Sequence, residues 1–377
     1  MPAVSTVLVV GGGAAGAATA ILLADAGIDV EIAEIKPDVT ALGSGITLQG
    51  NALRVLRQLG VWGQVQALGY GFDTLGLRAP DPHGTLLMEM PDARTGGPDL
   101  PATLGMYRPD LARILLDRAA SAGARIRFGA TLTDLRQDAD QVRVTFAGGA
   151  ESRYDLVVGA DGVRSWTRGA LGIDLETRAT GMGIWRAFAT RPASVTRTDL
   201  YYGGPAYIAG YCPTGEATLY AYLVEDARDR GALTPEQRLA TMRALSEAYH
   251  GPWDDIRPHL TDASRINYTW FETHLLDAPW HRGRVVLIGD AVHACPPTLA
   301  QGAALALEDA AVLAELLLSH ATVTDALLTE FTDRRHARAK TVVHASVQLG
   351  QWLLDRDRDA DVPGLMGRVA ALVGAPA

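Results

Sequence analysis

Thr6-Val-Leu-Val-Val-Gly-Gly-Gly-Ala-Ala-Gly16, followed by an Ala/Leu-rich run to Gly27 and then Asp29-Val-Glu-Ile-Ala-Glu34, is the stretch on which the fold turns. Thr6 to Val10 is short, uncharged and rich in valine, the texture of a strand buried on both faces of a parallel sheet. Three glycines stop it. Ala14 to Gly27 is made of helix formers and closes on a glycine, and Asp29 to Glu34 reads as a second strand. The segment is a β-α-β unit.

Within that unit Gly11-x-Gly13-x-x-Gly16 lies between strand and helix. Glycine there permits the tight turn, lets backbone N–H groups approach a pyrophosphate, and allows close packing of helix on strand. The helix N-terminus supplies an anion site. Glu34 follows Gly16 after seventeen intervening residues, at the end of the second strand, where a carboxylate can accept both ribose hydroxyls of an adenosine. A glycine turn without a ligand is the bland alternative. Strand, glycines, helix and terminal acid occurring together favour a bound adenine dinucleotide, though this unit alone does not choose between NAD and FAD.

The chain has 377 residues, which suggests two to three structural units. Its 48% hydrophobic and 20% charged content is that of a packed globular protein rather than a disordered or fibrous one. The net charge of −9, with no dense Lys/Arg run, argues against a nucleic-acid partner. Two cysteines, Cys212 and Cys295, are too few for a disulfide framework or a cysteine-ligated metal, so a reducing cytosol and no metal site are expected. The longest apolar stretch, Val7 to Ala24, is interrupted by glycines and has no positive n-region, so neither a signal peptide nor a membrane span is expected.

Two later segments repeat the strand-then-glycine pattern. Asp155-Leu-Val-Val-Gly-Ala-Asp161-Gly162-Val-Arg164-Ser165 ends a hydrophobic strand in an Asp-Gly turn, with Arg168 beyond. Gly283-Arg-Val-Val-Leu-Ile-Gly289-Asp290-Ala-Val-His293 is strand then turn. It runs on through Pro296-Pro297-Thr-Leu-Ala300-Gln301-Gly302 into a helix carrying Glu308 and Asp309. That helix N-terminus offers a second positive dipole end where a flavin ring could lean, with Asp290 placed to meet ribityl hydroxyls.

With the Arg108-x-x-Leu111-x-x-x-Leu115 helix as a fourth signature, the chain resembles the class A single-component FAD-dependent monooxygenases of the para-hydroxybenzoate hydroxylase type over most of its length. The resemblance implies that Glu34 holds the AMP ribose, Arg108 lies near the FAD ribose and pyrophosphate, and Asp290 binds the ribityl chain. It also implies that Asp161 serves both flavin and NAD(P)H, and that the Pro297 to Gly302 turn lies against the isoalloxazine. The cofactor-binding set is thus expected to be Gly11, Gly13, Ala14, Ala15, Gly16, Glu34, Ile35, Lys36, Arg108, Asp161, Gly162, Gly289, Asp290, Pro297, Ala300, Gln301, Gly302 and Ala303. Arg164 and Arg168 join Arg108 as candidate basic groups near the nicotinamide cleft.

The chain departs from the family in two places. Members often carry Gly-Gln-Gly after the proline and an Asn soon after, where this chain has Ala300-Gln301-Gly302 and then Ala303, Ala304 and Leu305. Many also place an arginine after the ribose acid, near the Gly43-Ser-Gly45-Ile46 strand, where the nearest cation here is Lys36.

Between the nucleotide segments the texture becomes that of consecutive strands: Gly181 to Ala189, Asp199 to Tyr202, Ala206 to Cys212 and Ala217 to Val224, with two more within Phe72 to Met90. The expected fold is α/β, a Rossmann-like FAD-binding domain with a parallel sheet plus a smaller α+β substrate domain with an antiparallel sheet. The FAD domain is expected over 1–71, 98–178 and 270–354, the substrate domain over 72–97 and 179–269, and a tail or short helix over 355–377. Side chains two apart share a face, which groups Tyr207, Ala209 and Tyr211, and separately Ile184, Arg186 and Phe188. Which face covers the cleft stays open, as does a bland reading of the tyrosines as half-buried sheet residues.

Arg186, whose guanidinium can orient a phenolate or carboxylate, Tyr211 and Pro297 are the candidate catalytic residues. His293 is read as structural ahead of proton transfer, Cys295 as an inert thiol, and the Arg334, Arg335, Arg338 and Lys340 run as a solvated helix face.

The implied reaction is reduction of FAD by NAD(P)H, addition of O2 to give a C4a-hydroperoxyflavin, and transfer of one oxygen atom to an electron-rich aromatic or related small molecule. Such chemistry asks the protein for binding, orientation and water exclusion rather than a nucleophile. The partners expected are an aromatic small molecule and O2, with the chain a monomer or homodimer. Absence of a CxxC pair sets disulfide reductases aside, and absence of Trp-x-Trp sets flavin halogenases aside. An FAD-dependent reductase of prenyl-type double bonds and a non-catalytic flavin-binding protein remain as alternatives.

Overall fold

A computed structural model describes residues 2–39 and 45–377; the Gly43-Ser44 start of the expected strand lies outside the described residues, and the strand there is Gly45–Gln49. Thr6–Val10 is the centre of a six-stranded sheet. Leu156–Gly159 and Asp29–Glu34 flank it in parallel, Val285–Leu287 and Arg125–Phe128 extend the sheet, and His281–Arg282 closes one edge antiparallel. Val7 to Val10 are all buried, as a strand covered on both faces requires.

The helix Ala14–Asp25 packs against both Gly302–Ser319 and Arg108–Ser121. It is apolar on almost every side, with Ala15 to Ile21 buried, which explains its small residues: only alanine and glycine let two neighbouring helices and a sheet approach one helix at once. Three separated segments of the chain therefore build one core.

The second large sheet has eight strands, in the order His293–Ala294, Ile266–Leu275, Arg178–Thr190, Thr218–Asp226, Ile208–Pro213, Thr198–Tyr202, Thr74–Arg78, Leu86–Pro91. It is antiparallel, as expected, except where Thr198–Tyr202 pairs with Thr74–Arg78 in parallel. Residue 270 lies within the strand Ile266–Leu275, and Phe72 ends the strand Tyr70–Phe72, which pairs with Thr103–Tyr107 in a separate three-stranded sheet. A further antiparallel meander, Leu132–Gln137, Val142–Phe146 and Glu151–Tyr154, was not anticipated from the sequence.

The C-terminal segment is ordered by docking. Val362–Gly374 is a helix whose Val369 and Val373 pack with Leu305 and Val342. The carbonyls of Ala375 and Pro376 accept from Arg338. Among the described residues no helix is long and apolar enough to cross a membrane, and no cluster of metal-ligating side chains occurs.

Candidate active site

The nucleotide end is shaped by what glycine leaves out. Gly11 has φ +103°, and a Cβ there would sit 2.5 Å from the Ala160 carbonyl oxygen, so the turn closes against the Asp161 strand end only without a side chain. A Cβ on Gly13 would meet nothing within 4 Å. Gly13 caps the helix Ala14–Asp25 with no side-chain hydrogen bond, and the first-turn N–H groups at Ala14, Ala15 and Gly16 have no partner among the described residues, as an anion site needs.

Glu34 is held in place by its own turn. Its Oε2 accepts from Gly12 N–H at 2.7 Å and its Oε1 from Lys36 N–H at 2.9 Å, leaving lone pairs on both oxygens for further donors. Beside it Ile35 is 69% exposed, an apolar surface that a flat ring would cover.

Arg108 opens the helix Arg108–Ser121 and is exposed, with no hydrogen bond or ion pair among the described residues. Its charge reaches Asp290 and Tyr220. Asp290 is open to solvent at its surface yet walled in by protein on its other sides. That desolvation raises its carboxyl pKa, against the pull of His293 and Arg108 and with a push from Asp309. Gly289, at φ +62°, brings this turn onto the first helix: a Cβ there would lie 3.2 Å from the Cβ of Ala15. The Gly11–Gly16 and Gly289–Asp290 motifs, far apart in sequence, thus meet. A cation without a partner among the described residues, a helix N-terminus without a side-chain cap and two carboxylates with free lone pairs, gathered around the start of the helix Ala14–Asp25, are a donor set that fits a flavin dinucleotide.

Other expected residues are committed elsewhere. Asp161 is partly exposed beside the Gly11 turn, and its carboxylate accepts from Ser165 Oγ, from Thr167 N–H at 2.8 Å and from Thr167 Oγ1 at 2.9 Å, at the start of the helix Trp166–Ala170 that Ser165 caps. Gly162, at φ +82°, completes that turn. Arg168 is buried and donates to the carbonyls of Ala291 and Val163; it braces the Asp290 turn from beneath instead of standing in the cleft. Arg164 is an exposed partner of Glu272 at 3.2 Å.

The proline turn is a short 3-10 segment, Pro297–Leu299, with Pro297 exposed. It ends at Ala300 with φ +52°, a left-handed conformation in which glycine is at home and alanine is strained. The Gln301 side chain is turned away, its Oε1 accepting from Asn51 Nδ2 at 3.0 Å in the core, so at that position only the backbone is left to serve a ligand. Gly302 and Ala303 begin the helix behind the turn.

Beneath the turn lies a buried charge network. Asp309 Oδ2 accepts from His293 Nε2 at 2.6 Å and from Gly289 N–H at 2.9 Å, and Asp309 Oδ1 from Arg335 Nε at 2.7 Å. Glu308 receives Arg335 at 3.0 Å, Arg338 at 3.2 Å and Asn51 at 3.2 Å. Burial disfavours the His293 imidazolium, but Asp309 outweighs it and raises the imidazole pKa; burial likewise opposes the Asp309 carboxylate, and His293 with Arg335 outweighs it and lowers that pKa. The pair is charged and structural. Arg335 and Arg338 are buried, which corrects the reading of that run as a solvated face: they share a helical stripe with Phe331 and Val342. That spacing, and the adjacent acids Glu308 and Asp309 within a largely apolar helix, were the available sequence signals.

His274 was missed altogether. It is buried under the Asp290 turn, between the Asp290 carbonyl and Thr177 Oγ1, each at 2.8 Å, and desolvation lowers its pKa to about 4. No motif announces it, because its neighbours come from distant segments.

The eight-stranded sheet has one face under the helices Pro235–Ser246 and Pro252–Ile256 and the other toward the nucleotide channel. Tyr211 belongs to the first. It is buried with Tyr201, Tyr249 and Trp253, its hydroxyl donates to Asp199 at 2.7 Å, and desolvation raises its phenol pKa, so it does not reach the cleft and is no catalytic candidate. Tyr207 lies before the strand and packs with the opposite cluster, not with Tyr211. Arg186 is on the cleft face, donating to Tyr220 Oη at 3.1 Å and to Thr269 Oγ1. Cys295 is a free thiol near the proline turn whose pKa burial pushes up to about 12.

Comparison with known proteins agrees with this geometry. The FAD binding domain family model matches residues 4–346. The aurachin C monooxygenase/isomerase of Stigmatella aurantiaca is 32% identical, with 92% of this chain and 90% of that protein covered. The 2-heptyl-3-hydroxy-4(1H)-quinolone synthase of Pseudomonas aeruginosa gives the same three values. Among solved structures, the tetrameric form of 2-methyl-3-hydroxypyridine-5-carboxylic acid oxygenase superposes with a TM-score of 0.80 at 27% identity, covering 97% of this chain and 95% of that one. The channel, its open anion site and the family match over most of the chain lead to one conclusion: this chain belongs to the FAD-binding-domain family of flavin-dependent monooxygenases.

Proposed function

We propose that this FAD-dependent monooxygenase uses NAD(P)H and O2 to insert one oxygen atom into an electron-rich ring held on the cleft face of the eight-stranded sheet. The observation that carries the proposal is the shared channel of Glu34, Arg108 and Asp290, bordered by a sheet face whose polar group is Arg186. FAD, when bound, supplies the redox chemistry with O2.

The chain's own residues bind and orient. Glu34 would hold the adenosine ribose, the N-terminus of Ala14–Asp25 and Arg108 the pyrophosphate, and Asp290 the ribityl hydroxyls. Arg186 would orient the ring through its guanidinium, braced by Tyr220 and Thr269. Tyr220, buried on that face, would help to keep water from the ring. Pro297 to Ala300 would close the channel on the side opposite the sheet. The nucleotide unit would comprise the segments around the parallel sheet, and the substrate unit the eight-stranded sheet with its covering helices.

The visible spectrum of the purified protein tests this, before and after anaerobic NAD(P)H, with and without a hydroxylated pyridine or a quinolone, and then with labelled O2. The expected result is a flavin spectrum bleached by NAD(P)H, faster with the ring present, and one labelled oxygen atom in the product. A reduced double bond without oxygen consumption would replace the reading with a reductase. Flavin that no nicotinamide nucleotide reduces would replace it with a non-catalytic role.

A further inference from the structure

The cleft face of the eight-stranded sheet is not uniformly available. Its side chains fall into three rows running across the strands. In the upper row Phe188, Tyr220 and Cys212 are neighbours by register and are covered. Phe188 stacks on Tyr107 at 4.0 Å, Tyr220 lies against Gly45, and Cys212 lies within 3.7 Å of Thr47 Oγ1. In the lower row Ile184, Val224 and Ile208 are buried with Leu353 and Leu354 from the end of the long helix Asp325–Asp355 packed on them.

The middle row lies between these two covers. It runs by consecutive register pairs from Arg186 to Tyr222, Gly210, Leu200, Leu77 and Met88 at the sheet edge. Arg186, Tyr222, Leu200 and Leu77 are half-exposed and Met88 is 51% exposed. The Tyr222 ring lies over Gly210, 2.5 Å from where a Cβ there would sit, so that ring forms the surface of the row at that step. Five inter-strand steps make a slot about 24 Å long. It has a cation at its inner end and no charged side chain from Tyr222 to Met88.

Such a slot is too long and too apolar for a compact ring acid. We propose that the substrate is an aromatic ring bearing a long apolar chain, its polar edge at Arg186 and its chain lying over the Tyr222 ring, Leu200 and Leu77 toward Met88. The proposal rests on the monooxygenase reading above. It is supported by continuity of the slot with the Arg186 site, by the single sign of charge at one end, and by the heptyl chain in the name of one relative.

The test measures binding to the FAD-loaded protein without NAD(P)H or O2, so that it succeeds or fails independently of turnover. The probes are 4(1H)-quinolones carrying a methyl or a heptyl group at carbon 2, and the readouts are flavin absorbance and tryptophan fluorescence. Affinity should rise roughly two- to fourfold per added methylene. Leu77→Gln should weaken the heptyl compound about tenfold and leave the methyl compound within about twofold. Leu200→Gln, half-exposed and three inter-strand steps from Arg186, should weaken the heptyl compound in the same selective way. Affinity independent of chain length, equal losses for both probes in both variants, or no binding by either probe would overturn the proposal. Loss of oxygen insertion with chain-dependent binding intact would instead overturn only the monooxygenase reading.

Discussion

Removing Arg335 tests whether the buried network under the proline turn holds the site together. The guanidinium is fully buried and donates to Asp309 at 2.7 Å, to Glu308 at 3.0 Å and to the Leu305 carbonyl at 3.2 Å. In Arg335→Met the apolar stem survives and only the charge and its donors go. Glu308 keeps Arg338, Asn51 and Arg54, so it stays paired. Asp309 keeps only His293 and the Gly289 N–H. Truncating one partner of a buried ion pair costs about 3–5 kcal/mol, and because Glu308 is compensated the lower end applies, about 3 kcal/mol.

The pH dependence adds a second check. Asp309, with its pKa lowered, contributes stability above the ordinary carboxylate value that is lost as pH falls through its folded value. His293, with its pKa raised, contributes fully below pH 6.5 and loses that contribution as pH rises through its folded value. In the variant the imidazolium is the remaining cation on Asp309, so destabilisation should deepen on the alkaline side. Urea unfolding of wild type and variant at matched pH, with unchanged m value, measures both effects. A loss under about 1 kcal/mol, or one independent of pH, would refute the reasoning.

His274 is buried and held neutral, so the unfolded chain takes up a proton below pH 6.5 while the folded one waits until about pH 4. Stability should fall across that window by at most on the order of 3 kcal/mol, and His274→Asn should flatten the slope of urea midpoint against pH there. Glu34→Ala removes the carboxylate that fixes the Gly12 and Lys36 amides, and FAD affinity measured by fluorescence quenching should drop at least about tenfold for one charge-assisted bond lost; unchanged affinity would displace Glu34 from the ribose. Tyr211→Phe should leave turnover unaltered while costing about 1 kcal/mol in denaturant unfolding, because only its bond to Asp199 is lost. A large turnover defect there would return Tyr211 to the site.

The nucleotide end was legible because its signals are local. The Gly11, Gly13 and Gly16 spacing, the valine strand and Glu34 lie within one β-α-β unit, where turn geometry and strand period depend on neighbours in sequence. The Gly289-Asp290 turn was legible for the same reason, although its contact with Ala15 was not. Where the local pattern is shared by two structures, the reading failed. Alternation in Ile208–Pro213 separates Tyr211 from Cys212 but cannot say which face the helices Pro235–Ser246 and Pro252–Ile256 cover. A basic run in Asp325–Asp355 looks like a solvated face until its stripe is matched to Glu308 and Asp309 on another helix.

The sequence by itself thus determined the dinucleotide unit, the α/β class and the family, since each rests on residues whose spacing along the chain constrains backbone geometry. Only the tertiary structure decided that Tyr211 and Gln301 turn into the core, that Arg335 and His274 lie beneath the site, and that one row of the sheet stays half-exposed. Those are questions of which distant surface a side chain meets, and burial and charge pairing between segments far apart in sequence settle them.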